Sequence, residues 1–269
     1  MALAKEHGHE LAAAVKRLDG RDRAVAGGLL DHPYACNGVF AQVQDRVLLN
    51  TPVERIAWSS SGVEARDANG TIHTAEKCII TVPVTVLRDG DIAFEPALPT
   101  DKTAAFGKLG MGPGMKVFLR FNQRFFRPNL LGGSVCAAYQ DNGYGKDGTT
   151  PVLMAFPMGE QASALRALGS EQAMVQALLT ELDGMYGGQA SAGFVAAHVQ
   201  DWTAHPYIRG AYSYSTVGMG DARTVAARPV EEVLFFAGEA MNTNGHFQTV
   251  HGAVETGYRA VNELLEPYR

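Results

Sequence analysis

The residues best placed to do chemistry lie near the end of the chain. An apolar run, Val233 to Phe236, leads into Ala237-Gly238-Glu239. A polar loop follows, and Thr249-Val250-His251-Gly252 then opens a helix. The first N–H groups of a helix have no partner within it and carry partial positive charge, so such an end holds an anionic or electron-rich group. Gly238 and Gly252 let backbone approach a ligand closely. The small residues Gly252, Ala253 and Gly257 let the helix lie tightly on a sheet. The competing reading is an ordinary strand–helix unit whose glycines serve packing alone, and spacing does not separate the two. Metal chemistry is not expected. The three cysteines, Cys36, Cys78 and Cys136, are odd in number and far apart, with neither metal-ligand spacing nor a disulfide framework.

Those residues need elements to hold them, and the chain supplies an α+β pattern. Strand candidates are Val53–Trp58, Val63–Arg66 and Thr71–Thr74, the last two joined by the hairpin signal Asn69-Gly70. Cys78–Val82 is a continuous apolar run, as in a strand buried on both faces. Lys116–Phe121, Ser134–Tyr139, Val152–Phe156, Phe194–Val199 and Tyr212–Ser215 follow, then Val233–Ala237. Helices are expected over 2–18, Tyr34–Val43 and Thr100–Leu109, with Thr100 as N-cap. Others are expected over Glu171–Leu182, between cap Ser170 and stop Gly184, and from about Val250 to Leu265. With 269 residues, 46% hydrophobic and 19% charged, the chain can bury a sizeable core. A net charge of −5 recommends neither nucleic acid nor an anionic membrane as partner. No apolar run approaches the ~20 residues of a membrane span. Without a signal peptide, and with Cys78 in an apolar run, a reducing, cytoplasmic setting is expected.

The terminal segment, LFFAGEAMNTNGHFQTVHGAVETGYRAVNELL, resembles the C-terminal FAD-binding segment of the flavin-containing amine oxidase family. That resemblance implies FAD-binding roles for Gly238 and Glu239 at the ribose–pyrophosphate region, and for Thr249 and Val250 at the flavin. Reduced flavin is anionic at N1, which a helix N-terminus stabilises. RVLLNTPVERIAWSSSGVEARDANGTIHTAEKCIITVP is similar to the family's strand pairs beside the adenine, with Val53 at the residue whose backbone contacts it. FEPALPTDKTAAFGKLGMGPGMKVFLRFNQRFF is similar to the entry into the substrate domain. It implies for Lys116 the catalytic role of holding a water against flavin N5. WTAHPYIRGAYSYSTVG is similar to the family's approach to the flavin. Trp202 falls on the cofactor side and Tyr212 is one wall of an aromatic substrate cage. Thr249 occupies the second cage position, and Phe247 nearby is a further candidate substrate contact.

Two departures shape the expectation. The residue before the cage tyrosine, a cysteine bonded to FAD in monoamine oxidases, is Ala211, so FAD is expected to be non-covalent. The family's opening G-x-G-x-x-G turn is not found, and the resemblance is to the latter part of a family member. The expected fold is therefore a mixed β-sheet substrate domain flanked by helices. To it is added the last strand–helix unit of a Rossmann-like FAD-binding domain whose N-terminal part is absent. Residues 1–83 would lie beside the adenine, 84–215 would form the substrate domain and 216–269 the FAD segment. A separate polypeptide carrying the G-x-G-x-x-G half is the expected partner, or the chain is a processed product. The implied reaction oxidises an amine or amino acid to an imine and releases a carbonyl compound and hydrogen peroxide. A related carbon–carbon desaturase and a non-catalytic binding module are the alternatives.

Overall fold

Alternating side chains decide most of the architecture. In the computed structural model, which describes residues 2–4, 46–146 and 150–266, the chain forms two units. One contains residues 1–110 and 213–269, the other residues 111–212.

In the first unit, β1 (Ala2–Ala4), β2 (Val53–Ser59), β3 (Gly62–Asp67), β4 (Ile72–Ala75), β5 (Lys77–Ile80) and β6 (Ala93–Glu95) precede β7 (Leu109–Gly112). A four-stranded sheet has the order β4-β3-β2-β6. Ile56 and Trp58 turn inward from β2, Val63 and Ala65 from β3. The Asn69-Gly70 turn is held by Asp67, whose Oδ1 accepts the amides of Asn69 and Thr71 at 2.8 and 3.0 Å. Between the strands lie α1 (Val84–Arg88) and α2 (Thr100–Gly107). Thr100 is not the N-cap of α2. Pro99 precedes the helix without a side-chain cap, because Thr100 has already entered the helical backbone.

The expected helix over 2–18 meets a strand at Ala2–Ala4, which pairs with β5. Its remaining residues, and the expected helix Tyr34–Val43, lie outside the described residues. β5 is central in a three-stranded sheet, antiparallel to β1 and parallel to β14 (Leu234–Phe236). Cys78 and Ile80 are buried on one face of β5 and Ile79 packs with Phe235 and Ala237 on the other, which explains its apolar run. The two flanking strands also bear on the expected fold class. The terminal strand, drawn as the remnant of a domain whose start is absent, finds its sheet within this chain.

In the second unit, β8 (Met115–Phe121), β9 (Asn129–Leu131), β10 (Ala138–Asp141), β11 (Val152–Ala155) and β12 (Phe194–Asp201) form one antiparallel sheet of order β12-β8-β11-β10-β9. Met115, Val117, Leu119 and Phe121 alternate inward from β8. They pack in one core with Leu165 of α3 (Glu160–Arg166) and Leu178 and Leu182 of α4 (Glu171–Tyr186). Each such side chain contributes roughly 1.5–3 kcal/mol. Ser170 caps α4 by accepting the Ala173 amide at 3.2 Å. The helix passes through Gly184 and stops at Gly187, whose φ is 61°. One interior glycine costs about 1 kcal/mol, and Tyr186 beyond it is held edge-on to Phe125 at 5.3 Å. The strand expected over Ser134–Tyr139 begins only at Ala138, because Glu181 takes the amides of Val135 and Cys136 at 2.7 and 3.1 Å.

After α5 (Gln189–Gly193), β13 (Tyr212–Ser215) pairs with β7. α6 (Ala222–Ala227) and the long α7 (Val250–Leu265) complete the first unit. α7 buries Gly252, Thr256, Ala260 and Leu264, a stripe spaced by four, and Ala260 and Leu264 of it pack with Phe235 and Ala237. Lys102 of α2 is also buried. Its ammonium donates to the carbonyls of Val225 and Ala226 at the end of α6, at 3.2 and 2.8 Å, and stands 3.9 Å over the Phe236 ring.

Candidate functional site

The Gly238 turn is built from both sides. The chain leaves β14 with the Ala237 amide on Ile80 O at 3.0 Å. α7 docks through Thr256, whose hydroxyl accepts the Gly238 amide at 2.8 Å. Arg259 then donates to the carbonyls of Phe236 and Met241. The loop before α7 is stapled by Asn242. Its Oδ1 accepts the amides of Asn244 and His246, and its Nδ2 donates to Glu255 at 2.9 Å. Hydrogen bonds from Asn242 and His246 hold the Glu255 carboxyl below the usual range. Thr249 is the N-cap, accepting the Gly252 amide at 3.0 Å. A Cβ on Gly252 would lie 1.8 Å from His246 O, so this glycine is required by close approach. A Cβ on Gly257, by contrast, would meet none of the described residues within 4 Å. Ahead of Gly252, the amides of Val250 and His251 donate to none of the described residues, and Val250 is 53% exposed.

Glu239 sits at the centre of this turn. Its Oε1 accepts the Ser213 amide at 2.9 Å, while Oε2 accepts the Ser213 hydroxyl at 2.8 Å and the Gln248 amide at 2.7 Å. Gln248 is held with φ at 67°, unusual for a non-glycine residue. Phe247 beside it lies against Arg223, 4.3 Å from the guanidinium carbon to the ring centroid. Gly238, Glu239, Phe247, Thr249 and Val250 thus gather within one unit. Val53 belongs to the same unit, on β2, opposite Asp67.

The other unit gathers a second group. Lys116 alternates with the buried residues of β8 and so faces away from the core. Its ammonium stands 5.4 Å over the ring of Phe156, and Tyr212 meets the same ring edge-on at 6.3 Å. Sequence reasoning assigned Phe156 no part beyond ending a strand, and only the fold brings it between Lys116 and Tyr212. Trp202 starts the hook that leads to Tyr212. Its carbonyl accepts the amides of His205 and Gly210, and its ring lies 6.0 Å from that of His205. Ala211 is fixed by donating to Gly112 O at 2.8 Å.

Comparison with known proteins gives this arrangement its class. The family model described as flavin containing amine oxidoreductase matches residues 3–265. The chain belongs to that family. It is 33% identical over 231 residues to mouse (Mus musculus) lysine-specific histone demethylase 1B, covering 81% of this chain and 27% of that protein. To polyamine oxidase 4 of rice (Oryza sativa subsp. japonica) it is 32% identical over 254 residues, covering 90% and 50%. Among solved structures, cyclohexylamine oxidase from Brevibacterium oxydans IH-35A superposes with a TM-score of 0.74 at 25% identity, covering 86% of this chain and 51% of that one. Putrescine oxidase in a form redesigned for cofactor binding gives 0.76 at 23% identity over 85% and 51%, a likeness of fold. The chain thus spans half or less of the length of these two curated relatives.

The match corrects three expectations. It runs from residue 3 to residue 265, so the resemblance is not confined to a C-terminal part of the family. The fold class built on an absent N-terminal part falls with it. So does the separate polypeptide supplying a G-x-G-x-x-G half. Those expectations rested on one fingerprint that is not found, whereas the family match starts at residue 3 and β14 pairs with β5 of the same chain.

The donors and acceptors present suit FAD. The free amides at the start of α7 match an electron-rich ring edge. A Cβ at Gly238 would meet none of the described residues within 4 Å, so among them that turn is open. Three donors occupy the Glu239 carboxylate, which offers about four acceptor positions. One remains on Oε1 for a ligand hydroxyl.

Proposed function

We propose that this chain is an FAD-dependent oxidase that converts an amine or amino acid to an imine, giving a carbonyl compound and hydrogen peroxide. The observation that carries the reading is the turn built on Glu239, followed by unpaired amides at the start of α7, in a chain of this family. The names of the relatives, which concern polyamines, histone lysine, putrescine and cyclohexylamine, favour an aliphatic amine.

When bound, FAD supplies the two-electron redox chemistry. The residues hold and orient. Glu239 accepts a cofactor hydroxyl, Gly238 leaves room for the cofactor, and the Val53 backbone and Trp202 add contacts to it. The amides of Val250 and His251 would face the electron-rich edge of the ring. Lys116 holds a water and, as a cation, favours electron transfer to oxygen. Tyr212, with Phe156 edge-on to it, orients the amine. Thr249 and Phe247 add substrate contacts at the helix lead-in. Ala211 offers no thiol for a covalent link.

We place the chain in a reducing, cytoplasmic setting. Two free, buried thiols support this, Cys78 pushed up by burial to about 12 and Cys136 to about 11. Among the described residues no helix is long and apolar enough to cross a membrane.

The test is direct. Purified chain supplied with FAD should show a flavin absorption band that bleaches on adding an aliphatic amine without air, and should form peroxide with air. Protein that stays colourless, or that turns over none of a panel of primary and secondary amines, overturns the reading.

A further inference from the structure

Arg223 is an arginine in an unusual position. It lies on α6, is 6% exposed, and shows its guanidinium face to Phe247. One nitrogen, Nη1, donates to the Ser213 hydroxyl at 3.0 Å and to Ala240 O at 2.9 Å. Nε and Nη2 are buried with no partner among the described residues. Unpaired buried donors on a charged group oppose folding. Burial lowers the guanidinium's pKa from its ordinary value, and the nearby Glu239 carboxylate works against that. A methionine of similar bulk would fill the space without the unpaired donors, so packing alone does not account for the residue.

The partners of Nη1 point to what the charge does. The Ser213 hydroxyl has one proton, and with Arg223 donating to its oxygen that proton goes to Glu239 Oε2, 2.8 Å away. The same carboxylate oxygen accepts the amide of Gln248, the residue with φ at 67° immediately before the N-cap of α7. Gln248 returns its side-chain amide to Ser213 O at 2.8 Å. On the far side of the turn, Ala240 O fixes the residue after Glu239 to the same guanidinium. Arg223 therefore touches both walls of the Gly238–Glu239–Ala240 turn and covers the Phe247 ring next to Gln248. A strained backbone persists only where its surroundings over-determine it. Here Glu239, Ser213 and Arg223 do so in series.

We propose that Arg223 is a positioning residue for the cofactor site: through Ser213 and Glu239 it holds Gln248 in its left-handed conformation and so aims the first amides of α7. The inference rests on the reading of this chain as a flavoprotein. It adds a specific role for a buried side chain of α6.

The experiment compares wild type with Arg223→Met and Arg223→Lys in the full chain, by two readouts. The first needs no cofactor: amide hydrogen exchange of residues 238–252 against that of the 53–67 hairpin. R223M should exchange at least tenfold faster over 238–252 and unchanged over 53–67, with a melting temperature equal to or above wild type. R223K should fall between. The second readout is FAD affinity by quenching of flavin fluorescence, expected to drop about tenfold in R223M and to recover partly in R223K. Equal exchange over 238–252, or faster exchange over both segments alike, overturns the proposal. Wild type that binds no FAD sinks the flavoprotein reading. Wild type and R223M that bind FAD equally sink only the role of Arg223. Should R223M not fold, Ser213→Ala decides, since it cuts the same series at the hydroxyl. Faster exchange over 238–252 alone supports the series, and unchanged exchange overturns it.

Discussion

Single side chains in this protein do their work through partners far away in sequence. Lys116 is the sharpest case for the proposed chemistry. It faces outward from β8, so Lys116→Met should leave stability within about 0.5 kcal/mol of wild type while slowing reoxidation of reduced flavin by about 100-fold. Stopped-flow mixing with oxygen measures this, and unchanged oxygen reactivity would remove Lys116 from the reaction. Glu181 is the case for stability. Burial alone would raise its carboxyl, but hydrogen bonds from the Tyr139 hydroxyl, the amides of Val135 and Cys136 and the Ser134 hydroxyl hold it below the usual range. Glu181→Ala orphans the buried Tyr139 hydroxyl and two amides, and should destabilise by roughly 2–4 kcal/mol in urea at neutral pH. Because the folded pKa is depressed, the stabilisation is full above the ordinary glutamate pKa and is lost as pH falls through the folded value. The penalty should therefore shrink toward pH 3. Residues in short-range order were legible: Glu239, Thr249 and Gly252 announce themselves as a turn and a helix start. Arg223, Ser213 and Phe156 were not, because nothing adjacent to them hints at the groups they meet after folding.

Among elements, α7 was read with nearly its observed bounds, since its cap and its four-residue stripe are local signals. α1, α3, α5 and α6 were missed because five to seven residues are too few to show a helical period. The strand expected at Ser134 failed for a different reason, a carboxylate that competes for its amides. Gly252 tests how tightly the α7 lead-in is set. Gly252→Ala drives a methyl into His246 O, so the loop from Asn242 to Thr249 must move. Overpacking of this kind costs about 1–3 kcal/mol, and FAD affinity should fall with it, whereas Gly257→Ala, whose methyl would meet none of the described residues, should be neutral or slightly stabilising. Thermal melts and flavin titrations of the two variants separate these outcomes.

For the molecule as a whole, Lys102 gives stability an alkaline slope. Burial comes first, with Arg228 and Arg259 adding to it against Asp101 and Glu263, and together they lower this lysine to about 7. In an unfolded chain it titrates near 10.4. Between those values the unfolded chain holds one more proton, so stability rises with pH. Between pH 7.5 and 9.5 wild type should gain roughly 2–3 kcal/mol more than Lys102→Met. Parallel curves from urea unfolding would show that the ammonium stays protonated beneath Phe236. The pairing of β5 with β14 also sets an order of events during synthesis. Residues 111–212 emerge from the ribosome as one contiguous stretch. The first unit must wait, with Cys78 to Ile80 lacking one of their two neighbouring strands, until Leu234–Phe236 has been made. The half-finished sheet is therefore the stage at which a nascent chain is most open to aggregation or chaperone capture.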